Sequence, residues 1–181
     1  MIRINAIATA AAVIAVGATL SACSSIGLGR ATAHAHLAPT GAISPNPTTG
    51  TATFTALEHG VRVAGEVRGL PPGSEHGFHI HEKGDCGDNG NASGGHFNPA
   101  GGKHGKFGAQ GSHAGELPSL VADGAGVARF SVDVPAISLT DGAANNVVGR
   151  ALVVHRDPDD FTSQPAGNSG PRIACAVITR G

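Results

Sequence analysis

Two groups of residues in this chain have types and spacings that suit metal binding. His79 and His81 are separated by one residue, so on a β-strand both imidazoles point to one face and could bind one metal ion. A lone pair of this kind is more often part of a solvated strand face. The glycine-rich stretch that follows adds three histidines and a carboxylate, namely His96, His104, His113 and Glu116. Three imidazoles and a carboxylate make the closed ligand set of a structural zinc site. If the glycine-rich stretch folds over the sheet, it brings these four residues beside His79 and His81.

The composition indicates a single domain built from short strands. The 181 residues include 28 Gly and 11 Pro, a density of turn-forming residues that favours strands joined by turns over long helices. Twelve basic residues against thirteen acidic ones give a net charge of −1. That balance argues against a nucleic-acid partner and against a polybasic contact with a membrane.

Alternation of apolar and polar residues predicts about eight strands, and no helical period exceeds two turns. The predicted strand segments are 31–37, 51–57, 61–67, 77–81, 117–122, 127–134, 147–154 and 173–178. Two long segments, 82–116 and 155–172, show no strand pattern, and long loops of this kind are usually functional. We therefore expect an all-β fold, an eight-stranded Greek-key β-barrel or sandwich with two long functional loops.

The amino-terminal residues 1–22 are typical of an export signal. Arg3 is the only charge, a short apolar run follows, and small residues precede Cys23. The ending Leu-Ser-Ala-Cys resembles the lipobox of bacterial lipoproteins, in which the cysteine becomes the first mature residue and carries the lipid. Ordinary soluble secretion, with Cys23 incidental, is the alternative.

These features divide the chain into three parts. We expect residues 1–22 to be a lipoprotein signal peptide, residues 23–30 a lipidated tether and residues 31–181 the folded domain. The protein would then be exported and held through the lipid on Cys23 at the membrane of the cell envelope, on its periplasmic or outer-surface side.

Two cysteines remain when Cys23 is assigned to the lipid. In an oxidising compartment, Cys86 and Cys175 are expected to form a disulfide. It would close a loop of about 90 residues and stabilise the fold by roughly 4–5 kcal/mol in the chain-entropy model. The alternative is that both thiolates bind metal, and it is the weaker one because histidines and carboxylates already supply enough ligands.

Five short segments together resemble the copper–zinc superoxide dismutase family in order and spacing. They are Gly-Phe-His-Ile-His at 77–81, Gly-His-Phe-Asn-Pro at 95–99, Lys-His-Gly at 103–105, Gly-Arg-Ala-Leu-Val-Val-His at 149–155 and Pro-Arg-Ile-Ala-Cys at 171–175. The resemblance runs from about residue 31 to residue 181. It implies a Greek-key barrel of eight strands and an enzyme that disproportionates superoxide to oxygen and hydrogen peroxide outside the cytoplasm. The implied cofactors are copper and zinc, with no organic cofactor.

The resemblance also assigns roles to individual residues. It implies that copper is bound by His79, His81, His96 and His155. It implies that zinc is bound by His96, His104, His113 and Glu116, where the family usually has Asp in place of Glu116. His96 belongs to both sets, as the bridging histidine, and with Arg172 it would take part directly in catalysis.

Supporting residues follow from the same resemblance. Asp159 would join a copper-ligand histidine to a zinc-ligand histidine by hydrogen bonds. His76 would pack behind the copper site without binding metal. Arg172 would dock the superoxide anion at the mouth of the channel. Cys86 and Cys175 match the family disulfide, which ties the metal-binding loop to the barrel near Arg172.

Two other classes of function stay open. The domain could buffer copper or zinc without turnover, or it could be a structural domain that has lost its metals. The enzyme is favoured because all four copper positions and Arg172 are present. Either a monomer or a homodimer is compatible with the sequence. A second pair, His34 and His36, is interpreted as outward polar residues of a strand, with copper capture as the alternative.

Overall fold

The computed structural model describes residues 30–41 and 47–181 and is almost entirely β in that part of the chain. The expected signal peptide and nearly all of the expected tether, Cys23 included, lie outside the described residues. Within the described ranges, no helix is long and apolar enough to cross a membrane.

Ten strands and one short 3₁₀ helix make up the described regular structure. In chain order the strands are β1 (Thr32–Pro39), β2 (Thr49–Ala56), β3 (Val61–Arg68), β4 (Glu75–His76), β5 (Phe78–His81), β6 (Leu120–Val121), β7 (Val127–Val134), β8 (Ala151–His155), β9 (Arg172–Val177) and β10 (Thr179–Arg180). The helix, Asp88–Ser93, lies in the long loop between β5 and β6.

Eight of these strands form one curled antiparallel sheet in the order β5-β8-β9-β1-β2-β3-β7, with β10 paired to β1. Strand β1 joins the two halves of the sheet, because most of its length pairs with β2 while Ala38 and Pro39 pair with β9. The strands at the two ends approach each other where Phe78 of β5 and Phe130 of β7 pack edge to face, with ring centroids 5.0 Å apart. Some strands that pair are distant in sequence, such as β3 and β7, and the connections between them are the crossovers of a Greek key. The all-β Greek-key prediction is confirmed.

The predicted strands differ from the observed ones mainly at their ends. The prediction of a strand at 147–154 was wrong for residues 147–150. These residues form a turn, in which Arg150 N–H donates to Val147 O and Gly149 has a φ of +82°. The segment predicted at 117–122 shortens to β6, since Pro118 has no N–H to give to a ladder. Strands β4 and β10, each of two residues, were not predicted.

Strand β5 packs one face against the apolar core and presents two histidines on its other face. All four of its residues are buried, and Phe78 and Ile80 belong to the main apolar core. Because neighbouring side chains on a strand point to opposite sides, His79 and His81 lie on the other face. The long loop of residues 82–116 covers that face.

Strand β8 lies beside β5 and is buried along its whole length. Leu152 and Val154 pack into the main core, whereas Ala151 and Val153 pack against Cys175 on the opposite side. The histidines on β5 and β8 therefore project from a part of the sheet that is packed on both faces.

Candidate metal centre

Three histidines project from the adjacent strands β5 and β8. His79 and His81 lie on β5, and His155 is the last residue of β8, just after a register shift that follows Val154. All three side chains are buried. The ring centroid of His155 lies 5.0 Å from that of His79 and 5.4 Å from that of His81. The strand geometry alone therefore brings these three imidazoles together.

The loop of residues 82–116 returns along β5 by backbone pairing. Ile80 N–H donates to Gly115 O and Phe97 N–H donates to Ile80 O, both at 2.8 Å. Glycine is needed at position 115, because a Cβ there would collide with the carbonyl of Ile80. This close pairing carries His96 and Glu116, the neighbours of Phe97 and Gly115, to the face where His79 and His81 lie.

The donor atoms of these side chains converge in two groups, each within 4.8 Å. We call them the first donor group, His79, His81, His96 and His155, and the second donor group, His96, His104, His113 and Glu116. All seven residues are buried. His96 belongs to both groups, and its ring stacks on that of His79 with centroids 3.9 Å apart.

Backbone carbonyls fix two rings of the first donor group. The Nδ1–H of His81 donates to Gly94 O at 2.9 Å, and the Nδ1–H of His155 donates to Gly170 O at 3.1 Å. Both rings are thereby held in the tautomer that leaves Nε2 free to bind a metal. These two Nε2 atoms lie 3.3 Å apart.

Asp159 connects the two donor groups. Its buried carboxylate accepts from His79 Nε2 at 2.7 Å through one oxygen and from His104 Nε2 at 2.9 Å through the other. Each of these histidines therefore presents its other nitrogen, Nδ1, to its own donor group. The orientation of a ring in the first group therefore depends on the orientation of a ring in the second.

A single carboxylate oxygen forms the centre of the second donor group. Glu116 Oε1 lies 3.1 Å from His96 Nδ1, 2.9 Å from His104 Nδ1 and 2.8 Å from His113 Nδ1. The longer side chain of Glu, compared with Asp, therefore reaches all three imidazoles. Its second oxygen, Oε2, lies 3.6 Å from His79 Nε2.

Several of these donor atoms are buried without a hydrogen-bond partner in the described part of the chain. They are His79 Nδ1, His96 Nε2 and Glu116 Oε2. His113 Nδ1 lies 2.8 Å from Glu116 Oε1 but without the geometry of a hydrogen bond. A buried polar atom that lacks a partner costs free energy, and a bound cation at each group would remove that cost. Four imidazoles suit copper, and three imidazoles with a carboxylate suit zinc. The residues present fit both metals.

Burial keeps three histidines of the first donor group neutral. Desolvation by burial, with neighbouring imidazoles, places the pKa of His79 and that of His81 well below the usual 6.5. Burial likewise lowers the pKa of His155 to about 4. Neutral imidazoles are the form that binds metals, so these three need not lose a proton first near neutral pH.

In the second donor group, burial and neighbouring charges shift the pKa values in opposite directions. Burial favours the neutral form of His104, but the carboxylates of Glu116 and Asp159 outweigh it and raise the pKa of His104. The pKa of His113 is lowered, mainly by burial. Burial disfavours the anion of Glu116, yet the histidines around it, above all His96, hold the pKa of its carboxyl below the usual value. The carboxylate of Glu116 therefore stays ionised, which suits a divalent cation.

Arg172, the first residue of β9, places a positive charge beside the first donor group. Its Nη1 donates to Gly90 O at 2.5 Å and to Ser93 Oγ at 3.1 Å, and its Nη2 donates to Gly94 O at 2.6 Å. The half-buried guanidinium is near enough to contribute to the lowered pKa of His81. A fixed cation at this place can attract a small anion.

The disulfide prediction is confirmed, and the alternative of two metal-binding thiolates is wrong. Cys86 and Cys175 are bonded, with their Cα atoms 5.7 Å apart. Cys175 lies on β9 three residues after Arg172, and Cys86 lies in the loop whose carbonyls bind that arginine. The bond therefore ties the acceptors of Arg172 to the strand that carries it.

Four further histidines lie outside both donor groups, and one of them, His59, is exposed between β2 and β3. Buried His76 donates from Nδ1 to the carbonyl of His155 at 2.9 Å, and its Nε2 lies 2.6 Å from Ser74 Oγ, so it supports the end of β8. His34 is half-buried and His36 is exposed, on the side of β1 opposite the core residues Ala33 and Ala35.

The sequence did not identify some groups that orient the site. The carbonyls of Gly94 and Gly170 hold two of the rings, and the side chain of Gln164 contacts the backbone of His104. A carbonyl is present at every residue and carries no signal in the residue type. Gln164 is a polar residue in a polar loop, so only the folded loop reveals its partner.

Known proteins are similar to this chain over the part that carries the site. Residues 48–178, a range that contains both donor groups, Arg172 and both bonded cysteines, match the family model described as copper/zinc superoxide dismutase (SODC). The chain is 44% identical over 133 residues to "Superoxide dismutase [Cu-Zn] 2" of Aquifex aeolicus (strain VF5), covering 71% of this chain and 78% of that protein.

Two further comparisons agree with this match. The chain is 38% identical over 143 residues to "Superoxide dismutase [Cu-Zn]" of Paramecium bursaria Chlorella virus 1, covering 76% of this chain and 75% of that protein. The crystal structure of a SOD-like protein from Bacillus subtilis matches with a TM-score of 0.70 and 32% identity, covering 79% of this chain and 95% of that chain. The chain belongs to the copper/zinc superoxide dismutase family.

Proposed function

We propose that this protein disproportionates superoxide to oxygen and hydrogen peroxide at a copper–zinc site that His96 bridges, outside the cytoplasm. The observation that carries the proposal is the double membership of His96 in the two donor groups. Its Nδ1 lies 3.1 Å from Glu116 Oε1 in the second group, while its buried Nε2 has no partner among the described residues. Membership of the family supports the same activity.

The nitrogen that each ring presents to its donor group decides which atoms would hold each metal. Copper would be bound by His79 Nδ1 and by the Nε2 atoms of His81, His96 and His155. Zinc would be bound by the Nδ1 atoms of His96, His104 and His113 and by Glu116. Bound copper would supply the one-electron exchange, and zinc would supply a fixed positive charge.

The remaining steps depend on side chains of this chain. Arg172 would dock the superoxide anion, because its guanidinium is held by three acceptors beside the first donor group. Two superoxide anions and two protons give one oxygen and one hydrogen peroxide. His96 would hold a proton at Nε2 whenever that nitrogen is free and would give it to the peroxide as that product forms. Asp159 would hold the two donor groups in a fixed relative position through its hydrogen bonds with His79 and His104.

Export with a lipid on Cys23 is part of the same proposal. The apolar run and the Leu-Ser-Ala-Cys ending before the domain support it, and so does the Cys86–Cys175 bond, since disulfides persist in oxidising compartments. Mass spectrometry of the amino terminus of the mature protein tests it. The expected result is an acylated Cys23, and the Cys23→Ser variant should leave the membrane fraction. A mature chain that begins elsewhere, without lipid, would contradict the anchor.

The activity is tested by metal analysis and a superoxide-consumption assay on the purified mature protein. We expect one copper and one zinc per chain, with activity. His79→Ala should lose copper and activity while it retains zinc. His36→Ala, an exposed histidine outside both groups, is the matched control and should change neither. Two equivalents of metal without superoxide consumption would instead support a metal-binding module.

A further inference from the structure

Gln164 binds both backbone polar groups of one residue, His104. The N–H of His104 donates to Gln164 Oε1 at 2.9 Å, and Gln164 Nε2 donates to the carbonyl of His104 at 2.9 Å. The two residues are 60 positions apart and lie in the two different long loops. Gln164 Nε2 also donates to Thr162 O at 3.2 Å, so the amide is oriented from within its own loop.

The same loop holds the ring of His104. Asp159 Oδ1 accepts from His104 Nε2 at 2.9 Å. Gly167 closes over that hydrogen bond, because a Cβ at its position would collide with both Asp159 Oδ1 and His104 Nε2. His104 is therefore held at its backbone by Gln164 and at its ring by Asp159. Only the ring contact was expected from the sequence.

The backbone contact matters because of the segment that carries His104. This residue lies in no helix or strand, and the glycines at 101, 108 and 111 around it have positive φ angles. Such a segment has few conformational restraints of its own. A metal ligand that is held only at its ring can still move with its backbone, and the Nδ1 of His104 must remain 2.9 Å from Glu116 Oε1 in the second donor group.

We propose that Gln164 is a positioning residue for the zinc ligand His104. It fixes the backbone of His104 so that Nδ1 points to the zinc position, and it fastens the loop of residues 155–172 over the second donor group. Retention of zinc then depends on a side chain that does not touch the metal. This inference rests on the proposed function, in which the second donor group binds zinc.

The test compares zinc release from four variants of the full mature protein, loaded with both metals, to a chromophoric chelator. Gln164→Ala removes both hydrogen bonds. Gln164→Met keeps the volume without them. Gln164→Glu keeps the acceptor for the His104 N–H but places an oxygen against the His104 carbonyl. Gln110→Ala, an exposed glutamine in the loop that carries His104, is the matched control.

We expect Gln164→Ala and Gln164→Met to release zinc about tenfold faster than wild type, the lower end of the effect of outer partners of metal ligands. Gln164→Glu should release it at least as fast, and Gln110→Ala should match wild type. With Co²⁺ in the zinc position, the visible absorption bands should change in the Gln164 variants, because the imidazole of His104 changes its direction. Copper release should change less than zinc release.

The outcomes separate this inference from the proposed function. A wild-type protein that binds no zinc would overturn the ligand set, and the inference with it. If wild type binds zinc, and wild type, Gln164→Met and Gln110→Ala all release it at the same rate, the role of Gln164 alone is overturned. Equal acceleration of zinc and copper release, with an unchanged Co²⁺ spectrum, would also overturn it, because it would indicate general loosening. Should Gln164→Ala fail to fold, Gln164→Met and Gln164→Glu decide the question.

Discussion

His81 and Arg172 donate to the same backbone oxygen, the carbonyl of Gly94. The imidazole Nδ1 lies 2.9 Å from it and the guanidinium Nη2 lies 2.6 Å from it. The oxygen thus fixes the position of an imidazole of the first donor group relative to a positive charge. Burial is the main reason for the low pKa of His81, and the charge of Arg172 lowers that pKa further, which helps to keep the ring neutral.

Removal of that charge should slow the encounter with superoxide. We expect Arg172→Ala to lower kcat/KM for superoxide by about tenfold or more at low ionic strength, since electrostatic attraction raises association rates by about 10–10³-fold. Arg172→Lys should be intermediate, because a lysine keeps the charge but not the planar set of donors that binds three acceptors. The measurement is the rate of superoxide consumption at several salt concentrations.

Arg129→Ala is the control for the arginine variant. Arg129 is exposed on β7, where its nearest charged partners are Asp123 and Glu66, so its loss changes the net charge equally. Its kcat/KM and salt dependence should stay close to those of wild type. Equal effects of both substitutions would mean that overall charge, and not the position of Arg172, attracts the substrate.

The sequence predicted those parts of the structure that depend on side-chain type at regular spacing. Alternation along β1 and β3 identified both strands because one face of each is buried. The pair His79 and His81 was placed on one strand face for the same reason. Strands β4 and β10 escaped prediction, since two residues are too few to show a period.

The rest of the site depends on how two loops fold. Gly94 and Gly170 act through their carbonyls, and Gln164 acts through a contact 60 positions away, so no local pattern marks any of them. The turn before β8 escaped for a related reason: residues 147–154 are rich in apolar side chains, but the positive φ of Gly149 ends the extended conformation.

Asp159 offers a test of the link between the two donor groups. In Asp159→Asn an NH2 group replaces one carboxylate oxygen and cannot accept a hydrogen bond. The side chain can then no longer accept from both His79 Nε2 and His104 Nε2. We expect the affinity for each metal to fall by about 10–100-fold, the range found for outer partners of metal ligands. Competition with chelators of known affinity measures this.

Asp141→Asn serves as the control for the Asp159 variant. Asp141 is exposed, pairs with Arg180 and lies outside both long loops. The substitution should leave both affinities unchanged. A loss of zinc affinity without any loss of copper affinity in Asp159→Asn would refute a link between the two groups.

The disulfide should stabilise the domain as a whole. It joins residues 89 positions apart, so its removal in Cys86→Ser/Cys175→Ser should lower the free energy of unfolding by roughly 4–5 kcal/mol in the chain-entropy model. Urea unfolding of the metal-free protein, followed by circular dichroism, measures the change. An unchanged midpoint would show that the bond is not a source of stability. Because the bond also ties the Arg172 acceptors to β9, we expect the loaded variant to be less active.

The buried histidines should make the metal-free protein sensitive to acid. Burial holds the pKa of His79 and that of His81 far below 6.5 and lowers the pKa of His155 to about 4. In the unfolded chain these rings have ordinary pKa values, so as the pH falls below about 6.5 the unfolded state binds protons first and gains in population. For His155 alone, the difference corresponds to roughly 3 kcal/mol once the pH has fallen to about 4.

The expected result is a fall in the urea midpoint of the metal-free protein from pH 7 to pH 5. Its raised pKa makes His104 act in the opposite sense, because its contribution to stability is lost as the pH rises through that pKa. It is one ring against four, since the pKa of His113 is lowered as well. His155→Asn, which cannot titrate, should show a smaller fall over the same interval, whereas His36→Ala, exposed on β1, should follow wild type. Equal slopes for wild type and His155→Asn would mean that the acid sensitivity arises elsewhere. With copper and zinc bound the slope should persist or steepen, because bound metals keep these nitrogens unprotonated in the folded state while the unfolded chain still takes up protons.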